Sequence, residues 1–200
     1  MIAGLILAGG RSSRMGGRDK ALAGLAGRTL LAHAIDLLGP QVAALAVSAN
    51  GDLNGAAGSL PVLKDLVPGF QGPLAGLHAG MAWASTLAGV DRLATVSVDA
   101  PFLPGDLVAR LSIRMDADRS PIALSASAGR SHPTCALWEL SLLPDLERFL
   151  REHESRRVMD FIGSVPHSTE AFAFDGIDPF FNVNTQDDLA LAARRLEAAR

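Results

Sequence analysis

The sequence from Leu5 to Lys20 reads LILAGGRSSRMGGRDK. An apolar run ends at Gly9 and Gly10, and arginines, further glycines and a lysine follow. Glycines let backbone N–H groups approach an anion closely, and successive N–H groups form a concave anion site. The side chains of Arg14 and Lys20 can neutralise a triphosphate, whose charge a backbone alone cannot match. The stretch therefore predicts a phosphate-binding loop directly after a first β-strand.

Spacing excludes two common phosphate-binding loops. The P-loop requires serine or threonine after its lysine, whereas Lys20 is followed by Ala21. The dinucleotide fingerprint requires one residue between its first two glycines, whereas Gly9 and Gly10 are adjacent and Arg11 follows. The position of the loop, directly after the first predicted strand, still favours a ligand site, because open α/β sheets bind ligands at the carboxyl ends of their strands.

The rest of the chain alternates short apolar runs with segments of helical period, which predicts a three-layer α/β/α fold with a mostly parallel sheet. The predicted strands are Ile2–Leu7, Val42–Ser48, Leu93–Val98, Ile122–Ser125 and Thr134–Trp138. Helices are predicted around Leu30–Leu38, Leu77–Ala84, Leu107–Leu111 and Leu142–Leu150. A last helix is predicted to begin at Thr185, where Thr185 and Asp188 can form a capping box. The less regular stretch from about Arg119 to Asp175 is expected to form a subsidiary lobe of a single domain, residues 1–200.

Composition narrows the function classes. The formal net charge is −3, and no basic stretch outside the opening loop suits nucleic acid. No apolar run approaches the roughly 20 residues that span a bilayer. The single cysteine, Cys135, excludes an internal disulfide and is expected to be a buried packing residue. We therefore expect a cytoplasmic protein that contacts neither nucleic acid nor membrane.

A resemblance appears once the opening loop is read as a whole. It resembles the signature of nucleotidyltransferases that have a Rossmann-like GT-A fold and, within them, the molybdenum cofactor guanylyltransferases. The matching positions are Leu7-Ala8-Gly9-Gly10, Arg14-Met15-Gly16 and Lys20. The resemblance implies that the first four residues present backbone groups to base and phosphates. Related cytidylyltransferases commonly carry alanine where this chain has Gly9, and this difference favours guanine.

A carboxylate follows the third predicted strand, in VSVDAPFLP. A carboxylate at a strand end points into the ligand crevice of an α/β sheet, and Mg²⁺ prefers one or two carboxylates with phosphate oxygens. Asp99 is therefore the predicted magnesium ligand, although an aspartate two residues before Pro101 can also simply cap a turn. The resembled family often has threonine where Ala100 stands.

The same resemblance implies further nucleotide contacts. Asp65 is expected to help hold the nucleotide, and GPLAG, which ends at Gly76, matches the family residue for residue. A plain loop entering a helix is an equal alternative for Gly76. The family also places an asparagine near the end of the second strand, which leaves Ser48 and Asn50 as alternatives here, since either side chain could hydrogen-bond a ribose or base.

The acceptor side is implied by two later motifs. Asn182 and Asn184 stand in FFNVNT and share a face if the segment is extended, although turn asparagines before a capped helix are the alternative. The pair Arg156 and Arg157 suits a phosphate-bearing pterin, since guanidinium groups bind phosphate bidentately. His132, in the HPT motif of the same region, is expected to be structural rather than catalytic.

The resemblance implies transfer of GMP from GTP to molybdopterin or molybdenum cofactor, with pyrophosphate released and Mg²⁺ as cofactor. Arg14, Lys20 and Asp99 are the expected catalytic residues, and molybdoenzymes or chaperones are candidate partners. A cytidylyltransferase or sugar-phosphate nucleotidyltransferase of the same fold remains an alternative. A non-catalytic nucleotide-binding module that delivers cofactor is the alternative from another class.

Overall fold

The computed structural model describes residues 1–9, 19–66, 72–153, 155 and 157–198. Nine strands and six helices are found in these residues. The strands are β1 (Ile2–Leu7), β2 (Gly24–Leu25), β3 (Arg28–Thr29), β4 (Ala44–Ser48), β5 (Val62–Leu63), β6 (Arg92–Ser97), β7 (Ile122–Ser127), β8 (Arg130–Glu139) and β9 (Ser168–Ala171). The helices are α1 (Leu30–Leu38), α2 (Pro73–Ala84), α3 (Leu107–Asp118), α4 (Leu143–Glu152), α5 (Val158–Ile162) and α6 (Gln186–Ala198).

Seven strands form one sheet in the order β5-β4-β1-β6-β8-β7-β9, and β2 and β3 form a separate hairpin. β1 lies between β4 and β6 and is parallel to both, with Leu7 level with Ser48 on one side and Ser97 on the other. Because β5 is also parallel to β4, the carboxyl ends of these four strands line one edge of the sheet. We call this the carboxyl edge. The predicted three-layer fold with a mostly parallel sheet is confirmed.

β8 departs from the prediction. The strand expected at Thr134–Trp138 begins at Arg130 and runs antiparallel to both β6 and β7. The reason is the two-residue turn before it, in which Ala128 (φ 46°) and Gly129 (φ 74°) both have positive φ. Such a turn makes a tight antiparallel hairpin, whereas a parallel connection needs a dozen or more residues. The hairpin therefore turns at the carboxyl edge.

Alternation along β1 divides the hydrophobic core between the two faces of the sheet. Ile6 is buried against the layer of α1, α3 and α6. Leu5 and Leu7 are buried against the layer of α2, α4 and α5. Successive side chains of a strand point to opposite faces of the sheet, so β1 packs against both helix layers. The end of β1 at Leu7 is therefore held by both faces of the core.

Five short elements were not predicted: β2, β3, β5, β9 and α5. Strands of two to four residues carry too little alternation to stand out in a sequence. The segment from 119 to 175 supplies β7, β8, α4, α5 and β9, and all three of its strands belong to the main sheet. Its role as an acceptor-side lobe stays a prediction. Among the described residues, no helix is long and apolar enough to cross a membrane.

Candidate active site

A cavity of about 630 Å³ opens at the carboxyl edge of the parallel half of the sheet. It lies between the ends of β1, β4 and β5 and the start of α2. Its described lining is Leu7, Ala8, Gly9, Asp19, Ser48, Ala49, Asn50, Gly51, Asp65, Gly72, Pro73 and Gly76. Seven of the predicted nucleotide contacts, from four separate parts of the sequence, therefore line one cavity.

The end of β1 is held firmly on both sides. The N–H of Ala8 donates to the carbonyl of Ser48 (2.9 Å), and the N–H of Val98 donates to the carbonyl of Leu7 (3.1 Å). Gly9 follows, and a Cβ built on it would meet no heavy atom within 4 Å. None of the described residues therefore requires glycine at this position. Glycine instead leaves the backbone uncovered beside the cavity, which suits close approach by a ligand.

Asn50 and Asp65 bond to each other across the cavity wall. The Asn50 side-chain N–H₂ donates to Asp65 Oδ2 (2.7 Å), and the Asp65 backbone N–H donates to Asn50 Oδ1 (3.0 Å). These two bonds tie the loop after β4 to the loop after β5. Ser48, the alternative contact at the same strand end, is buried and also lines the cavity.

Gly76 permits α2 to pack tightly on the sheet beside the cavity. A Cβ on Gly76 would stand 2.5 Å from Ser48 Oγ and 2.9 Å from Leu7 Cδ2, which is closer than atoms can approach. Gly72, the residue before α2, has φ 103°, a conformation that favours glycine. The result is a helix whose first turn borders the cavity, with the positive end of the helix dipole on that side.

Lys20, Asp99 and Asn184 form a polar cluster at the same edge. The Lys20 ammonium donates to Asp99 Oδ2 (2.5 Å) and to Asn184 Oδ1 (2.8 Å). Ser97 Oγ donates to the other carboxylate oxygen of Asp99 (2.5 Å). The side chains of Lys20 and Asp99 are only 16% and 15% exposed, so this ion pair is partly shielded from solvent. Asp99 and Asn184 are 79 and 164 positions away from Lys20 in the sequence, and the fold brings the three side chains together.

Local capping sets the position of Lys20. Asp19 accepts a hydrogen bond from the Ala21 N–H (3.0 Å) and caps a short 3₁₀ turn, Lys20–Leu22. Asp19 also lines the 630 Å³ cavity, so the cavity and the Lys20 cluster are neighbours. A second cavity of about 590 Å³, lined in part by Asp19 and Lys20, lies on the side of α6.

The cluster has a donor set that suits magnesium. The carboxylate of Asp99 and the amide oxygen of Asn184 already converge on one cation, the Lys20 ammonium. Hard cations take oxygen ligands, and Mg²⁺ is usually held by one or two carboxylates while phosphates complete its shell. Among the described residues, no group of three or more His, Cys, Asp or Glu side chains could hold a metal without such help. The residues fit a metal that arrives with a triphosphate.

Cys135 lies close to this cluster and is buried, as predicted. Burial raises the pKa of its thiol to about 12. The thiol therefore stays protonated at neutral pH and acts as a packing group rather than as a nucleophile.

Burial alternates along the segment that carries the two asparagines. Val183 is fully buried, whereas Asn182 and Asn184 are exposed on either side of it. The Val183 N–H donates to the Asp99 carbonyl (2.9 Å), which ties the segment directly to the strand end of the predicted metal ligand. Asp188 then accepts from the N–H groups of Asn184 (2.9 Å) and Thr185 (2.8 Å) and closes the predicted cap.

Not every predicted site residue can be placed. Gly10, Arg14 and Arg156 lie outside the described residues. Arg157 is exposed at the start of α5 and is not among the residues that line either cavity. Its role stays a prediction.

Sequence reasoning missed several polar residues of the carboxyl edge. Asp19 carried a detectable signal, because it stands directly before the predicted lysine. Ser97, Ser127 and Asp178 carried none, because isolated serines and aspartates near strand ends are common in turns.

An α/β sheet with a cavity at its carboxyl edge, an exposed glycine backbone and an adjacent Lys–Asp pair fits a protein that binds a nucleotide. Residues 4–169 match the model of the MobA-like NTP transferase domain. The chain is 48% identical over 206 residues to the molybdenum cofactor guanylyltransferase of Rhizobium leguminosarum bv. trifolii, with 100% of the chain and 95% of that protein covered. It is 46% identical over 201 residues to that of Mesorhizobium japonicum, with 98% and 97% covered.

Solved structures agree on the fold. The molybdopterin-guanine dinucleotide biosynthesis protein A of Archaeoglobus fulgidus has a TM-score of 0.77 at 18% identity, over 98% of this chain and 99% of that one. The 2-C-methyl-D-erythritol 4-phosphate cytidylyltransferase of Thermus thermophilus has a TM-score of 0.66, also at 18% identity, over 96% and 98%. The chain belongs to the MobA-like NTP transferase family, and the family predicted from its opening loop is confirmed.

Proposed function

We propose that the protein transfers GMP from GTP to the terminal phosphate of molybdopterin or its molybdenum form. The relatives that support this acceptor are named molybdenum cofactor guanylyltransferases and match the chain over nearly its full length. The main support for the proposal is that the nucleotide-sized cavity and the Lys20–Asp99–Asn184 cluster lie next to each other at one edge of the sheet.

The reaction needs positioning more than acid–base help. An oxygen of the acceptor phosphate attacks the α-phosphorus of GTP, and the bond to the bridging α–β oxygen breaks. Pyrophosphate leaves with that oxygen and the electron pair. A phosphate monoester has a second pKa near 6, so the attacking oxygen is already ionised at neutral pH. Alignment and neutralisation of charge therefore dominate the barrier.

The nucleotide lies in the 630 Å³ cavity in this proposal. Leu7, Ala8 and Gly9 present backbone groups to the base and phosphates, together with Gly10. Asn50 and Asp65 hold the base or ribose, and their mutual bonds keep both side chains in place before the ligand arrives. Binding then loses little side-chain entropy, which favours affinity.

Lys20 neutralises the triphosphate and the departing pyrophosphate, with Arg14 as its partner. To do so, its ammonium leaves the oxygen of Asp99 and turns towards the phosphates. Asp99 and Asn184 are the residues that would hold Mg²⁺, and the ion would supply charge neutralisation at the α-phosphate. Ser97 keeps the carboxylate oriented through its bond to Oδ1.

The acceptor lies on the other side of Asp99 in this proposal. Asn182 and Asn184 face it from the segment before α6, and Arg156 and Arg157 contact its phosphate. Molybdoenzymes or chaperones that take up the product remain proposed partners. A cytoplasmic location is proposed on the same basis.

The test is a turnover assay with purified protein, Mg²⁺ and molybdopterin, in which pyrophosphate and the dinucleotide product are both measured. GTP is offered in parallel with CTP, UTP and ATP. We expect product with GTP and little with the others. Preference for CTP would contradict the guanylyl assignment, and absence of any pyrophosphate release would contradict the enzymatic one.

A further inference from the structure

Outside the residues proposed to touch substrate, a second polar cluster lies at the carboxyl edge of the antiparallel half. Ser127 ends β7, and its hydroxyl lies 2.7 Å from both Asp178 Oδ1 and His132 Nε2. A carboxylate only accepts, so the single hydroxyl proton goes to Asp178. His132 therefore donates its Nε2–H to Ser127. The ring is half-buried, and burial lowers the pKa of His132, in keeping with this neutral form.

The cluster holds the chain that leads to the catalytic residues. Asp178 Oδ1 also accepts from the Phe180 N–H (2.9 Å), and the Asp178 carbonyl accepts from the Phe181 N–H (3.0 Å). The His132 ring stacks on Phe180, with centroids 4.6 Å apart and planes 26° apart. Hydrogen bonds and a ring contact thus fix the first turn of this segment.

The other end of the same segment meets the proposed active site. Val183 N–H is bonded to the Asp99 carbonyl, and Asn184 Oδ1 accepts from Lys20. Between the two anchors lie only a few residues, and Asn182 is one of them. A short segment fixed at both ends has little freedom, so a change at its first anchor shifts Asn182, which lies between the two anchors.

We propose that His132 is a positioning residue, which sets through Ser127, Asp178 and Phe180 where Asn182 stands against the acceptor. The inference deepens the proposed function and rests on it. It assigns His132 to the positioning of the acceptor and leaves GTP binding to the parallel half. A misplacement of about 1 Å at reacting groups can cost on the order of 10²-fold in rate, so a remote ring can matter this much.

The variants separate the two contacts that His132 makes. His132→Ala removes both the ring stack and the Nε2–H donor, whereas His132→Phe keeps a ring on Phe180 and removes only the donor. Ser127→Ala breaks the same hydrogen-bond chain from the other side. The matched control is Ser168→Ala, which removes a buried hydroxyl bonded to Ser120 (2.8 Å) at the opposite edge of the same strands.

Steady-state kinetics with molybdopterin give the decisive readout. For His132→Ala we expect kcat/KM for the acceptor to fall about 10²-fold while the Kd for GTP changes less than about twofold. His132→Phe and Ser127→Ala are expected to fall about tenfold, the range of one lost hydrogen bond. Ser168→Ala is expected to stay within about twofold of wild type. Parallel losses in GTP affinity and acceptor kcat/KM, or no change in either, would overturn the proposal.

A second measurement does not depend on the acceptor. Hydrogen exchange of the Phe180, Phe181 and Val183 amides should accelerate in His132→Ala, whereas that of Ala8 and Ala49 at the cavity should not. Unchanged exchange in the segment would contradict the proposal even if turnover fell. If wild-type protein fails to use molybdopterin, the proposed function fails while the exchange result still judges the positioning role. If His132→Ala does not fold, His132→Phe and Ser127→Ala carry the same comparison.

Discussion

The two halves of the sheet use their carboxyl edges differently. In the parallel half, Gly9 and the start of α2 leave backbone groups uncovered around a cavity of about 630 Å³. In the antiparallel half, polar side chains are bonded to one another. Ser127, His132 and Asp178 form one set, and Arg110 bonds Glu170 and lies 3.9 Å from the centre of the Phe172 ring.

The difference indicates that one half of the sheet binds a ligand and the other half supports the site. Uncovered backbone suits a ligand that brings its own charge, whereas internally bonded side chains suit a rigid support. Asp99 and Asn184 lie where the halves meet, because β6 is parallel to β1 and antiparallel to β8. Substitutions in the parallel half should therefore affect nucleotide binding, and substitutions in the antiparallel half should affect use of the acceptor or the stability of the fold.

The largest effect is expected at the junction itself, from Asp99→Asn. Loss of the carboxylate removes the charge that would hold Mg²⁺, so kcat should fall on the order of 10³-fold while part of the GTP affinity remains. Turnover and GTP titration measure the two effects separately. Asp116→Asn is the control, since Asp116 pairs with Arg92 at the opposite end of β6. Full Mg²⁺-dependent activity in Asp99→Asn would remove it from the site.

The next largest effect is expected for Lys20→Met, which should lower kcat/KM for GTP and raise the affinity for Mn²⁺. kcat/KM for GTP should fall about 10²-fold, because the phosphates lose a cation. Binding of Mn²⁺ to the nucleotide-free protein should instead tighten, because Asp99 is released from its ion pair. Steady-state kinetics measure the first effect and titration calorimetry the second, and Arg114→Met, in an exposed pair with Asp118, is the control. Unchanged kinetics would exclude Lys20 from catalysis.

Gly76→Ala tests the tight packing of the parallel half. Its Cβ would collide with Ser48 Oγ and Leu7 Cδ2, so we expect the free energy of unfolding to fall by about 1–3 kcal/mol, with weaker GTP binding. Chemical denaturation and GTP titration measure these. Gly105→Ala is the control, because a Cβ there meets nothing within 4 Å. A fully stable Gly76→Ala protein would mean that α2 can move away from the sheet.

The smallest effect is expected for Asp188→Asn at the cap of α6. Hydrogen bonds from the Asn184 and Thr185 N–H groups lower the pKa of Asp188. A lowered pKa stabilises the fold above the unfolded value, 3.8, and that stabilisation is lost as the pH falls through the folded pKa. At pH 7 the variant should lose less than about 1 kcal/mol, and the difference from wild type should vanish in acid. A difference that persists at pH 2 would contradict the ionic cap.

The predictable part of the molecule is the part with strong local signals. β1 and the central helices followed from apolar periodicity, and the α6 cap followed from Thr185 and Asp188. The direction of β8 did not follow from periodicity, because it depends on two backbone angles at Ala128 and Gly129. The support around His132 could not be predicted either, since Ser127 and Asp178 are 51 residues apart and meet only after the sheet has formed.

The most direct test of the central claim is a crystal structure with GTP and Mg²⁺ bound. We expect the guanosine in the cavity beside Asp65, with the α-phosphate reached by Lys20 and the ion bridged to Asp99. A triphosphate bound away from Asp99, or a nucleotide outside that cavity, would contradict the central claim.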